Sequence, residues 1–147
     1  MEKAEARLIK ASPMPFVTGE VIVEGKPVTL FGSHLQDPTT SVRANVRNIQ
    51  LSGLAQVVKE IQNPVILLGD LNISPWSPHF KDFIEESGLD ESRKKTGLRL
   101  TWPTNFFPLK TSIDHCLSSA GVLIHSVTLG PDIGSDHYPV VVDFSVQ

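Results

Sequence analysis

The stretch Val65-Ile66-Leu67-Leu68-Gly69-Asp70-Leu71-Asn72 decides the fold of this chain. Four consecutive apolar residues predict a short strand that is buried on both faces of a sheet. The strand runs directly into a turn that carries a carboxylate and an amide two positions apart, which puts Asp70 and Asn72 on the same side. A carboxylate at this position can activate water or hold a hard cation. The same residues also fit a turn that caps its own backbone.

Two strands and a helix are predicted ahead of this stretch. Apolar and β-branched residues at 16–23 and 28–34, with an intervening turn that contains glycine and proline, predict a hairpin that leaves His34 at a strand end. A helix is predicted next, because residues 39–41 supply Ser and Thr for its N-cap. The apolar positions from 42 to 61 recur near helical spacing.

The remainder of the chain predicts a second helix and further strands. The helix starts near 75–77 and stops at Gly88, and the charged stretch 91–96 is typical of a solvated loop. Three strands are predicted at 113–117, 122–129 and 140–144. This order of elements indicates a layered α/β or α+β domain, in which a sheet carries helices on one face.

Two more polar segments lie beside predicted strands, namely Ser112-Ile113-Asp114-His115 and Gly134-Ser135-Asp136-His137-Tyr138-Pro139. Asp136 and His137 put an acid and a base just before the predicted strand at 140–144. Asp114 is a candidate orienting partner for His137 or His34, because a carboxylate fixes the tautomer of a histidine. Each segment alone also fits a structural turn or a strand-end ion pair. Together they predict one polar site with a divalent cation, since clustered carboxylates repel one another unless something offsets the repulsion.

Composition limits the classes of partner. The chain has 147 residues, 13 Lys and Arg against 16 Asp and Glu, and a formal net charge of −3. It lacks the overall basic field of a protein that grips nucleic acid mainly by charge, so a polyanion would have to be bound locally. A single cysteine excludes a disulfide within the chain, and no apolar run approaches the roughly 20 residues that cross a bilayer. The compartment is left open.

Four segments, matched in order and approximate spacing over residues 16–145, resemble the endonuclease/exonuclease/phosphatase superfamily. The segments are Phe31 to Leu35, Leu68 to Asn72, Ile113-Asp114-His115 and Ser135 to Val140. The resemblance implies a portion of a four-layer α/β/β/α sandwich, in which a mixed β-sheet is covered by helices. It also implies a phosphoric ester hydrolase that depends on Mg²⁺ or Mn²⁺.

The resemblance further implies a role for each polar side chain. The implied catalytic set is His137, Asp70, Asn72, Asp114 and His34, with Asp136 at the metal. In this scheme His137 is the general base, Asp114 orients a histidine and Asp70 orients the attacking water. Asn72 holds the scissile phosphate, and His34 contacts phosphate. Arg43 and Arg47 are spaced to share a helix face near His34, where they either approach the substrate phosphate or pair with neighbouring acids.

The chain departs from the family pattern at its front. Family members normally open with strands that bear an Asn and a metal-ligating Glu, whereas Glu20 and Glu24 lie in a different context. We therefore expect residues 1–147 to form a single partial domain that lacks the N-terminal sheet segment. The sheet face left uncovered would then be available for association. Pro75 to Pro78 and Thr101-Trp102-Pro103 also resemble a bacterial subgroup often fused to N-terminal membrane segments, so a membrane-anchored parent protein is one expectation.

Two functions remain open. The first is a phosphodiesterase or nuclease that hydrolyses a phosphate ester, nucleic acid included, by in-line attack of water. The second is a noncatalytic fragment or interaction module that keeps the fold without a complete metal site. A calcineurin-like phosphoesterase is disfavoured, because its Asp-x-His and Gly-Asn-His motifs do not occur in the sequence.

Overall fold

The predicted hairpin belongs to an antiparallel run of three strands. The computed structural model describes residues 3–8 and 15–147. For residues 3–8, 15, 93, 95 and 107 it describes the backbone alone. The three strands are β1 (Lys3–Leu8), β2 (Pro15–Val23) and β3 (Lys26–His34), and each pairs antiparallel with the next. Glu24 and Gly25 make the β2–β3 turn with φ of 52° and 80°. Positive φ at both central residues matches the twist of a two-residue hairpin.

A six-stranded mixed sheet forms the middle of the molecule. Its other strands are β4 (Val65–Asp70), β5 (Asp90–Glu91) and β6 (Asp114–Ser118), and the strand order is β1-β2-β3-β4-β6-β5. β3 and β4 are parallel, whereas β6 runs antiparallel to both β4 and β5. A parallel pair needs a crossover connection, and α1 (Ser41–Lys59) provides it.

Two helices cover one face of this sheet. Thr40 is the N-cap of α1, and its side chain accepts a hydrogen bond from the backbone N–H of Arg43. α2 (Pro78–Ser87) ends at Gly88, which adopts the left-handed conformation typical of a helix C-cap. Each fully buried large side chain in the core below the helices contributes about 1.5–3 kcal/mol. This core includes Phe31, Leu67 and Leu117 from the strands, Leu51, Leu54 and Val58 from α1, and Phe80 and Phe83 from α2.

A second, two-stranded sheet packs on the opposite face. It consists of β7 (Val122–Leu129) and β8 (Val140–Val146), which pair antiparallel. Val146 packs with Val28 and Ile66, whereas Ile124 and Val127 pack with Cys116. The layers are therefore helices, the large sheet and the small sheet, which confirms the predicted α/β class with a mixed sheet covered by helices.

The predicted solvated loop at 91–96 is wrong. Glu91 lies in β5, pairs with Leu117 of β6 and is only 7% exposed. Ser92 is also buried, and its hydroxyl donates to the backbone carbonyl of Cys116. A short helix, α3 (Arg93–Thr96), follows. Pairing with β6 overrides the polar composition of this stretch. Among the described residues, no helix combines the length and apolar character needed to cross a membrane.

Candidate functional site

Three polar side chains lie in a row across neighbouring strand ends. In the sheet register His34 of β3 stands beside Asp70 of β4, and Asp70 stands beside Asp114 of β6. β3 and β4 are parallel and β6 is antiparallel to β4. The last residues of β3 and β4 therefore lie beside the first residue of β6, at one end of the strands. Residues in register point to the same face. The row therefore lies on the face that β7 and β8 cover further along the sheet.

The turn after β4 brings Asn72 back onto Asp70. The backbone N–H of Asn72 donates to Oδ1 of Asp70 at 2.8 Å, and its side-chain Nδ2 donates to Oδ2 at 3.2 Å. Nδ2 also donates to the carbonyl of Leu35 at 2.9 Å. Asn72 has a φ of 49°, a left-handed conformation that Asn tolerates better than most residues. Both carboxylate oxygens of Asp70 are thus held by a single neighbouring residue.

His137 enters this row from the loop between β7 and β8. Its Nδ1 lies 2.9 Å from Oδ2 of Asp114, and its Nε2 lies 3.8 Å from Oδ2 of Asp70. An ionised carboxylate offers only acceptors, so the proton in the contact with Asp114 belongs to Nδ1. The neutral tautomer then leaves Nε2 without a proton and directed toward Asp70, as a general base requires.

His34 reaches the same carboxylate from the open side. Its Nε2 lies 3.7 Å from Oδ2 of Asp70, and its side chain is 72% exposed against 13% for Asp70. Such an exposed imidazole keeps most of its conformational freedom. It is therefore suited to contact a group that arrives from solvent.

Asp136 is held by a different partner. Its Oδ2 accepts a hydrogen bond from the indole N–H of Trp102 at 3.3 Å, and the Trp102 ring centroid lies 6.3 Å from that of His137. Backbone hydrogen bonds from Thr104 to Asp136 and from Tyr138 to Thr101 fasten the two loops together. The loop that carries Trp102 thus supports the segment that carries Asp136 and His137.

Opposing influences act on the Asp70 carboxylate. Burial raises its pKa above the ordinary 3.8, and the charge of Asp114 raises it further. The N–H of Asn72 and the positive charge that His137 and His34 can carry lower it, but burial dominates. A cation bound here would relieve both the burial cost and the repulsion between the two carboxylates.

The donor set fits a divalent metal. One ligand atom each from Asp70, Asp114 and His137 lies within 4.8 Å of the others, and all three residues are partly buried. Carboxylate oxygens are the ligands that Mg²⁺ and Mn²⁺ prefer. Asp136, the metal ligand expected from the sequence, is outside this group of three and lines the adjoining cavity instead.

An open cavity of about 710 Å³ adjoins the cluster. A volume of this order is typical of small-molecule sites. His34, Asp70, Asn72, Asp136 and His137 line the cavity, together with Trp102 and Arg47. Six of the sequence-derived candidates thus share one region, with Asp114 just behind His137. Arg43 is not among the lining residues, but its guanidinium pairs at 2.8 Å with the carboxylate of Asp37, which does line the cavity.

Sequence reasoning missed the contact between Trp102 and Asp136. In the sequence the Thr-Trp-Pro segment indicates only a resemblance to a bacterial subgroup. Trp102 is 37% exposed, so its indole N–H has no strict need of a protein acceptor and gives no signal for this contact. The acceptor itself lies 34 residues away in a separate loop, so local patterns could not identify it.

The layered sheet, with carboxylates and histidines at adjacent strand ends, is the arrangement of a class of hydrolases that act on phosphate esters. The chain belongs to the endonuclease/exonuclease/phosphatase family, whose sequence profile matches residues 7–137. The resemblance carried by the four segments is confirmed. Members of this family act on phosphate esters, including nucleic acid, and generally use divalent metals.

Several solved structures share the fold of this chain. An endonuclease/exonuclease/phosphatase from Beutenbergia cavernae is 19% identical with a TM-score of 0.79, and the match covers 99% of this chain and 45% of that one. The human nocturnin catalytic domain, solved with a bound sulfate anion, is 21% identical with a TM-score of 0.75 and coverage of 99% and 59%. A mannosyl-6-phosphatase from Bacteroides thetaiotaomicron is 20% identical with a TM-score of 0.63 and coverage of 89% and 57%.

At these identities the likeness shows the fold alone. The present chain spans about half the length of these three proteins. No curated protein matches it significantly in sequence.

Proposed function

We propose that this chain carries the reaction centre of a divalent-metal-dependent phosphodiesterase or nuclease that hydrolyses its substrate by in-line attack of water. The single observation behind this proposal is the contact of His137 with both Asp114 and Asp70, at 2.9 Å and 3.8 Å. Such a histidine has one nitrogen held by a carboxylate and the other free to take a proton. Membership of the family supplies the class of substrate, a phosphate ester.

In this proposal His137 is the general base, and Asp114 is its orienting partner. The Nδ1 contact with Asp114 fixes the tautomer and stabilises the imidazolium that forms when Nε2 accepts a proton from water. Asp70, next to that nitrogen, holds the water in line. The water oxygen bonds to phosphorus as the ester oxygen opposite it leaves, and the proton taken by Nε2 of His137 then passes to solvent.

Asn72 and His34 bind the scissile phosphate in this scheme. Both line the cavity, and His34 is exposed enough to meet an incoming anion. Arg43, which the sequence offers as a substrate contact, would first have to leave its pair with Asp37. Nucleic acid is one substrate consistent with the proposal, bound locally because the net charge of the chain is −3.

The oxygens of Asp70 and Asp114 are the donors that would hold Mg²⁺ or Mn²⁺, with Asp136 as a further proposed ligand. The ion would supply Lewis-acid stabilisation of the negative charge that develops on phosphate oxygens. With His137 kept for proton transfer, the protein's own part is to orient the water and the ester.

A second candidate is a noncatalytic interaction module. It is favoured by one observation, namely that the chain spans about half the length of solved relatives. In that case residues 1–147 would be a partial domain, and the metal site would need donors from elsewhere.

Hydrolysis of bis-nitrophenyl phosphate under a magnesium or manganese titration separates the two candidates. The enzyme hypothesis predicts metal-dependent turnover that falls about 10²- to 10⁴-fold in His137→Ala, the usual range for loss of a general base. Asp70→Ala should also be inactive. Calorimetry of the same proteins measures metal binding directly. Absence of both turnover and metal binding in the wild-type chain would favour the module.

A further inference from the structure

Arg47 is a buried cation at the wall of the cavity. It lies on α1, is 8% exposed, and burial lowers its pKa below the ordinary value. In the part of the chain that the structure describes, no carboxylate lies within ion-pair distance of its guanidinium. A buried charge without an ionic partner is costly, so its hydrogen bonds carry the compensation.

All of the hydrogen bonds of Arg47 go to neutral oxygens. Nε and Nη2 both donate to Oδ1 of Asn48, at 3.0 Å and 2.9 Å. Nη1 donates to the backbone carbonyl of Asn72 at 2.6 Å, across 25 residues of sequence. The contact with Asn48 aligns the guanidinium plane, which leaves Nη1 aimed at the turn after β4.

The carbonyl that Arg47 holds belongs to the residue with the left-handed backbone. Asn72 keeps a φ of 49°, and in that conformation its N–H and its side-chain amide reach the two oxygens of Asp70. Non-glycine residues hold such a conformation only where surrounding contacts stabilise it. Arg47 supplies one of those contacts from a helix, a more rigid element than the turn itself.

We propose that Arg47 is a positioning residue that fixes the Asn72 turn and, through it, the orientation of the Asp70 carboxylate. The inference rests on the proposed function for its effect on catalysis. The chain of contacts runs from Arg47 to the carbonyl of Asn72, and from the two amides of Asn72 to Asp70. Arg47 itself touches no reacting atom in this scheme.

A double-substitution cycle tests this role. Arg47→Met should lower kcat about 10- to 100-fold, as expected for loss of an outer positioning contact, and any rise in KM should not exceed that of Asn72→Ala, because Asn72 also binds the phosphate in this scheme. Arg47→Lys should recover part of the loss, because it keeps one donor and the charge. In an Asn72→Ala background the same Arg47→Met substitution should have a smaller effect than in the wild type, since the side-chain amide part of the path is already lost and only the backbone N–H still reaches Asp70.

Lys59→Met is the matched control, because it removes an exposed cation from the last turn of the same helix. It should leave kcat and KM unchanged. A large rise in KM with kcat preserved in Arg47→Met would overturn the proposal and make Arg47 a direct substrate contact. Full additivity of Arg47→Met and Asn72→Ala would overturn it as well.

NMR of the metal-free protein gives an answer that does not depend on turnover. In Arg47→Met the backbone and side-chain amide signals of Asn72 should shift, whereas methyl signals of the second sheet, such as those of Ile124, should not.

If Arg47→Met fails to fold, Asn48→Ala loosens the same guanidinium without removing its charge and should shift the Asn72 signals less. Unmoved Asn72 signals in a folded Arg47→Met protein would sink the inference. If the wild type has no activity but the Asn72 signals shift in Arg47→Met, the proposed function is contradicted and the positioning role of Arg47 is not.

Discussion

Asp70 contacts three other residues of the site. It meets Asn72 twice and lies within 4 Å of an imidazole nitrogen of both His34 and His137. Burial nevertheless dominates its titration and raises its pKa. A carboxyl with a raised pKa in the folded state is easier to ionise after unfolding. Its contribution to stability is therefore present below its unfolded pKa and is lost as the pH rises through its folded pKa.

This sign leads to a measurable pH dependence. In buffer with EDTA, we expect the free energy of unfolding of the wild type, measured relative to that of Asp70→Asn, to decrease as the pH rises from about 3.8 toward neutrality. Urea unfolding of both proteins at several pH values measures the difference, in which the effects of other titrating groups largely cancel. A difference that grows in favour of the wild type with rising pH would contradict the prediction.

At the residue scale the sequence predicted which side chains form the cluster, but not all of the contacts that hold them. Asp70, Asp114 and His137 could be selected because each stands beside a predicted strand, and strand ends meet at sheet edges. The pairing of Asp136 with Trp102 and of Arg47 with Asn72 could not be selected. Those contacts depend on how loops and a helix pack across 34 and 25 residues of sequence.

At the scale of elements, the parallel pairing of β3 and β4 depends on the absence of a side chain at Gly69. A Cβ built at Gly69 would lie 1.9 Å from the backbone oxygen of Ser33 on the neighbouring strand. Neither backbone can move without shifting His34 or Asp70, which follow Ser33 and Gly69 directly. The close approach of the two strands therefore sets the spacing between His34 and Asp70.

Gly69→Ala should destabilise the protein by several kcal/mol, on the order of 3, because two backbones must separate. Gly32→Ala on the adjacent strand is the control, since the nearest atom to its Cβ would be 3.9 Å away. It should be neutral, or stabilising by about 0.5–1 kcal/mol, because alanine restricts the unfolded chain. Chemical denaturation of the two variants measures the contrast. Equal effects would show that the close approach is not maintained.

Predictions of elements succeeded where a pattern was local. The N-cap of α1, the stop of α2 at Gly88 and the β2–β3 hairpin all follow from residues adjacent in sequence. The prediction for 91–96 is wrong because Glu91 pairs with Leu117 of β6, 26 positions later in the chain, and is buried there. Charge at a single position predicts exposure only when no strand partner covers it.

For the molecule as a whole, the two sheets differ in extent, with six strands facing two. Val17 of β2 alternates onto the same face as Val21, which packs against the cluster below the small sheet. Val17 itself is 52% exposed. Among the side chains that the structure describes, the small sheet thus leaves Val17 on this face open to contact with another surface.

We expect the chain to self-associate through this face as its concentration rises. Val17→Lys should reduce the weight-average mass in sedimentation velocity at high concentration, because it places a charge in the contact. Ile22→Lys is the matched control on the same strand. Ile22 is 49% exposed but lies on the opposite face by strand alternation, so its substitution should leave association unchanged. A wild-type chain that stays monomeric at all concentrations would contradict the expectation.

The single cysteine, Cys116, can report the rate of local opening of the fold. Cys116 is 6% exposed beneath Ile124 and Val127, and burial raises the pKa of its thiol. Separation of the small sheet from β6 exposes the sulfur to a thiol reagent. The rate of labelling under native conditions therefore reports how often that layer opens, with no engineered probe and no competing thiol in the chain.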